Sequence, residues 1–203
     1  MHKKLSILIS YSAFLFSAQA SSFTLYLEND ILNERDANYT HGTRLLWLTD
    51  AITYEDATKK QHGYVVGQSI YTSEDIDAKE LLPENRPYAG WLYGGYVIQN
   101  RYPDRRTDWI EFDIGMVGPS SYAEKTQTEV HRLFHNHLPQ GWSHQIKDEL
   151  GLVALYEQRR LVCRGNYYDI WPHWGFSLGN VQTYVNVGFS ARLGFNLPEQ
   201  YPV

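Results

Sequence analysis

Apolar and polar positions alternate with a period of two over most of the chain. In Val181–Gly194, Val181, Thr183, Val185, Val187, Phe189, Ala191 and Leu193 fall on one face. Gln182, Tyr184, Asn186, Gly188, Ser190, Arg192 and Gly194 fall on the other. In Asp108–Gly118, Ile110, Phe112, Ile114 and Met116 oppose Glu111, Asp113 and Gly115. Successive side chains of a strand point to opposite sides, so the pattern predicts β-structure. It predicts further strands near 23–28, 43–49, 63–71, 89–98, 150–162 and 167–178, about eight in all. Several approach the roughly 9–11 residues that cross a bilayer at a tilt.

Two architectures share this pattern. A soluble sandwich turns the apolar face inward, whereas an outer-membrane barrel turns it toward lipid and keeps the lumen polar. Alternation alone leaves both open, and composition favours the barrel. Aromatic residues make up 15% of the chain, and Trp47, Trp91, Tyr93, Trp109, Trp171 and Trp174 lie close to expected strand ends, as in the aromatic belts of membrane interfaces. The start of the chain reads as an export signal over residues 1–20. Lys3 and Lys4 precede a short apolar run, Leu5–Phe16, and Ala18-Gln19-Ala20 supplies a cleavage site before Ser21. Cys163 is the single cysteine, so an intrachain disulfide is excluded. The net charge of −5 becomes more negative once Lys3 and Lys4 leave, and without a basic cluster nucleic-acid binding is not expected. No repeat or linker divides residues 21–203, which are read as one domain.

One connection breaks the alternation. In Ser120–Trp142 the Thr126–Phe134 part has helical character, and long connections in compact domains are usually functional or disordered. His131, His135 and His137 cluster there. On a continuous helix His131 and His135 would share a face, as in a two-histidine metal site; otherwise His135 and His137 belong to a solvated loop. His131 sits inside the helical piece, where a fixed ring suits a general base.

A second polar cluster, Glu28-Asn29-Asp30, stands between two expected strands. Its oxygen donors suit a hard cation such as Ca²⁺ better than Zn²⁺, and they equally suit a solvated turn. There is no G-x-S-x-G, so a serine nucleophile elbow is not supported. In Arg86–Trp91 (RPYAGW), Pro87 fixes the backbone, Gly90 permits close approach, and Arg86 is available to an anion or to a structural partner.

Taken in order, LENDILNERDANYTHG, GQSIYTSEDI, ENRPYAGWLY, DIGMVGPSS with QTEVHR, LPQGWSHQI and ARLGFNLP span nearly the whole exported chain. This set resembles the outer-membrane lipid A 3′-O-deacylase (LpxR-like) family. The resemblance implies an all-β fold, a twelve-stranded antiparallel barrel with a short helical segment in one long loop. It implies Ca²⁺-dependent hydrolysis of the 3′-linked acyloxyacyl ester of lipid A in the outer membrane, by a monomer among outer-membrane lipids. The matching positions are Asn29, Asp30, Thr40, Gln127 and His131, with His131 as base and Asn29 and Asp30 at the metal. Lys79 stands nearest to a lysine the family uses, and Arg86 is placed either structurally or against a lipid A phosphate.

The resemblance also sets an expectation about length. Relatives continue with further strands beyond the point where this sequence reaches GFNLPEQYPV, so the domain is expected to be incomplete at its C-terminus, and its activity as given is open. The competing readings are an outer-membrane phospholipase-like esterase and a non-catalytic barrel remnant.

Overall fold

The computed structural model describes residues 11–14, 21–29, 40–73, 75–80 and 86–198. Eight strands of eight or more residues form its frame: β2 (Ser22–Asn29), β3 (His41–Leu48), β5 (Lys59–Tyr71), β6 (Ala89–Arg101), β7 (Arg106–Val117), β8 (Glu149–Arg160), β10 (Tyr168–Gly179) and β11 (Tyr184–Leu193). Three short ones, β1 (Tyr11–Phe14), β4 (Ile52–Thr53) and β9 (Cys163–Arg164), complete the sheet. Its order is β1-β2-β3-β5-β6-β7-β8-β10-β11, with β4 on β5 and β9 on β10, and every pairing is antiparallel. This is an up-and-down meander whose neighbours in sequence are neighbours in space. Among the described residues β11 and β1 are its two edges, so the sheet is open. β1 falls within the span read as an export signal, and cleavage before Ser21 would remove it.

Side-chain parity decides which way the sheet faces. On β7, Phe112 and Ile114 are exposed, while Glu111 is 1% and Asp113 7% exposed. On β11, Val185, Val187, Phe189 and Leu193 are 71–85% exposed. In water this arrangement would leave about 1.5–3 kcal/mol per large apolar side chain unrealised. Against lipid it costs nothing, and the polar side chains gather inside instead. There Arg44 binds Glu111 at 2.7 Å, and the Trp109 indole donates to the same carboxylate at 2.7 Å. Arg192 Nε donates to buried Asp169 at 2.7 Å. Apolar side chains fill the rest of this inner face: Leu46, Leu48 and Val97 in one cluster, and Val65, Trp91, Tyr93 and Val153 in another. Among the described residues no helix is long and apolar enough to cross a membrane.

The same parity corrects the expected aromatic belt. Trp47 and Trp174 do face outward, and Trp47 stacks between Phe23 and Tyr64, at ring-centroid distances of 6.1 and 5.6 Å. Trp91, Tyr93, Trp109 and Trp171 turn inward, because each lies on the polar face of its strand. Proximity to a strand end does not fix the side on which a ring emerges. β11 likewise begins at Tyr184 rather than Val181. Thr183 Oγ1 donates to the Gly179 carbonyl at 2.8 Å and closes a tight turn there.

Hairpin direction sorts the connections into two rims. Segments 49–58, 102–105 and 161–167 lie at one rim. The end of β2, the start of β3 with Thr40, the described residues 72–73, 75–80 and 86–88 between β5 and β6, and segments 118–148 and 180–183 belong to the other, which carries Asn29, Thr40, Lys79, Arg86, Gln127 and His131.

Candidate active site

The 118–148 connection carries α1 (Ala123–Leu133), which starts three residues before the predicted helical stretch and ends one residue before its end. Its approach to the sheet is set by a glycine. A Cβ on Gly90 would stand 2.1 Å from both Ala123 Cβ and Ser121 Oγ, so only glycine admits the helix this close to β6. Gly118 N donates to Gly90 O at 2.9 Å, Ser121 Oγ to Gly118 O at 2.6 Å, and Gln68 Nε2 to Ser121 O at 2.7 Å. Ile70, Tyr88, Ala123 and Trp142 then pack into one buried cluster that fixes α1 over the ends of β5 and β6.

Ala123, Gln127 and His131 are the buried residues of α1, spaced four apart along one face. His131 Nδ1 lies 2.5 Å from the His137 carbonyl oxygen. A carbonyl only accepts, so the ring carries its proton on Nδ1 and Nε2 is its basic nitrogen. Gln127 Oε1 accepts from the Trp142 indole at 2.9 Å, and Gln127 Nε2 is buried without a hydrogen-bond partner among the described residues.

The two-histidine metal geometry is not realised. The helix ends at Leu133, and His135 has φ 57°, a left-handed conformation that turns the chain away. Asn136 N donates to the His131 carbonyl at 2.9 Å in this termination. His135 is exposed, and His137 is exposed with Nδ1 3.9 Å from Asp77. His131 alone of the three is buried. Among the described residues no group of three or more His, Cys, Asp or Glu is placed to hold a metal.

Thr40 is buried at the start of β3, with its N–H on Ile70 O at 2.9 Å and its hydroxyl 2.6 Å from that of buried Thr72. Ile70 belongs to the cluster that seats α1, so Thr40 and the Gln127–His131 face share one packed neighbourhood. Asn29 ends β2 opposite His41, one residue from Thr40 along the neighbouring strand. Asp30 lies outside the described residues. Lys79 is exposed in the 72–88 segment. Arg86 is exposed too, with its guanidinium 5.7 Å from the centre of the Tyr71 ring, a structural partner. The structure thus joins Gln127 and His131 on one face, links Thr40 to it through Ile70, and leaves Lys79 and Arg86 without a demonstrated contact to that face.

Sequence reasoning missed Thr72 and Trp142. Both occur in segments that carry the family resemblance, GQSIYTSEDI and LPQGWSHQI, and nothing in their residue types marked them out.

An outward apolar surface, polar inner networks and a buried, helix-borne histidine among the loops of one rim are the features of an outer-membrane β-barrel protein, here an open antiparallel sheet among the described residues. The family model described as outer membrane protein LpxR matches residues 5–203, and the chain belongs to that family. The solved structure of LpxR from Salmonella typhimurium superimposes with a TM-score of 0.64 at 20% identity, covering 77% of this chain and 53% of that one. At that identity the likeness shows the fold. The chain spans about half the length of that relative. No curated protein matches it.

Proposed function

We propose that the chain is a lipid A 3′-O-deacylase that hydrolyses the 3′-linked acyloxyacyl ester by general-base attack of water. The observation that carries this reading is His131, buried on the sheet-facing side of α1 with its Nδ1–H held by the His137 carbonyl. That hydrogen bond presents Nε2 to take a proton from water as its oxygen attacks the ester carbonyl. The proton then passes to the departing alkoxide, and the products are a carboxylic acid and an alcohol. His131 lies in the last turn of α1, where the negative end of the helix dipole favours the transient imidazolium. Gln127, one turn earlier, and Thr40 supply polar groups for the oxyanion.

The donor types of the Asn29-Asp30 pair, an amide oxygen and a carboxylate, fit a hard cation. Asn29 and Asp30 would hold Ca²⁺, which when bound supplies Lewis-acid polarisation of the ester carbonyl. Residues 1–20 act as the export signal in this reading, and the loop-rich rim faces outward, as longer loops do in bacterial barrels, next to the outer leaflet where lipid A resides.

The test is release of the acyloxyacyl acid from purified lipid A by the detergent-solubilised protein. Release that requires Ca²⁺ and is lost in His131→Ala supports the proposal. Hydrolysis of glycerophospholipid with none of lipid A would replace it with the phospholipase reading.

A further inference from the structure

Gln127 is held by a contact that the proposed reaction does not itself require. Trp142 and Gln127 are both buried, 4% and 3% exposed. An indole N–H can only donate, so the atom it meets at 2.9 Å must be the amide oxygen of Gln127. The amide NH₂ is thereby turned away from Trp142. Its nitrogen is the buried donor that has no acceptor among the described residues. Buried donors without acceptors are uncommon in folded proteins, and those that persist call for a functional account.

Trp142 is in turn built in rather than merely adjacent. The Tyr88 ring meets it edge to face, with centroids 5.0 Å apart. Gly141 lets Tyr88 approach, because a Cβ there would stand 2.3 Å from the Tyr88 ring. The Tyr88 carbonyl accepts from Ile146 N at 2.9 Å, tying the far end of the 118–148 connection to the same point. Three separated segments, RPYAGW, LPQGW and QTEVHR, therefore converge on the rotamer of one glutamine.

We infer that Trp142 is a positioning residue: it locks the Gln127 amide with its NH₂ presented as a donor to the oxyanion of the ester, one helical turn from His131. The inference rests on the deacylase reading of the site. Tyr88 and Gly141 hold the indole so that the amide cannot flip. A flipped amide would present its oxygen to a developing negative charge and oppose it.

The test uses the detergent-solubilised chain with purified lipid A, and reads steady-state kinetics beside the Trp142 indole ¹H–¹⁵N resonance. Trp142→Phe keeps the ring against Tyr88 and removes the N–H; it is expected to lower kcat about tenfold with KM within about twofold. The double variant with Gln127→Ala should be no worse than Gln127→Ala alone. Gln127→Glu keeps an oxygen for the indole and removes the NH₂, so the indole resonance should stay near its place while kcat falls. Gln127→Ala should shift that resonance. Unchanged kcat in Trp142→Phe, or additive losses in the double variant, would overturn the inference. If the wild-type chain releases no acid from lipid A, the deacylase reading fails, and the resonance decides separately. Unmoved in Gln127→Ala, it overturns the positioning role; shifted, it retains that role for whichever reaction the site performs.

Discussion

His131 donates from Nδ1 to the carbonyl oxygen of His137, six residues on, at 2.5 Å. The link spans the end of α1, so the segment that terminates the helix also fixes the tautomer of its buried histidine. His131→Ala should therefore lower deacylation by roughly 10²–10⁴-fold, the usual cost of losing a general base. His137→Ala keeps the carbonyl and should cost no more than a few-fold, as should His135→Ala. Equal losses in all three, measured as initial rates, would indicate a shared metal site instead.

The seating of α1 depends on Gly90. Gly90→Val would press on Ala123 and Ser121, and overpacking of this kind costs about 1–3 kcal/mol. The expected outcome is a folded sheet with a displaced helix: activity lost, and the 118–148 segment opened to limited proteolysis while the strands stay protected.

Arg44 and Glu111 form a charge pair inside the sheet, with the Trp109 indole on the same carboxylate. Arg44→Ala leaves Glu111 buried without its counter-charge, a loss of about 3–5 kcal/mol for a fully buried pair and less here because Arg44 is partly exposed. A lower denaturant midpoint, read from heat-modifiable migration in gels, checks it. An unchanged midpoint would mean that the inner network contributes no stability.

The lipid-facing assignment predicts the opposite of ordinary surface behaviour at Ile114. This residue is more than half exposed, so in a soluble protein Ile114→Arg would be nearly neutral. On a lipid face the cost depends on depth, reaching about 2–4 kcal/mol at the bilayer midplane. Reduced insertion into the outer-membrane fraction is the expected result.

These contrasts show how much was legible beforehand. The eight long strands, the faces of β7 and β11, and the helical break in the 118–148 connection follow from periodicity, because the lipid-facing side of a strand must stay apolar whereas the inner side takes both polar and apolar groups. Trp91 and Trp171 were misplaced because the belt argument used distance to a strand end and ignored parity. His131 could be separated from His135 and His137 by its place in the helical stretch. The Trp142–Gln127 contact could not be foreseen, since it joins positions fifteen residues apart across an irregular loop. Local propensity says nothing about such a meeting.

Removal of divalent ions should stop acid release, and Ca²⁺ should restore it better than Zn²⁺, because the donors at Asn29 and Asp30 are oxygens. Asp30→Asn keeps the shape and removes the charge, so it should weaken the Ca²⁺ response or abolish turnover. Full activity in chelator would contradict the metal assignment.

The central claim is tested most directly by mass spectrometry of lipid A from cells that make the wild-type chain, cells that make His131→Ala at equal outer-membrane levels, and cells with neither. The account predicts lipid A lacking the mass of the 3′-acyloxyacyl group only with the wild-type chain. Identical lipid A in all three, with the protein present in the outer membrane, would contradict it.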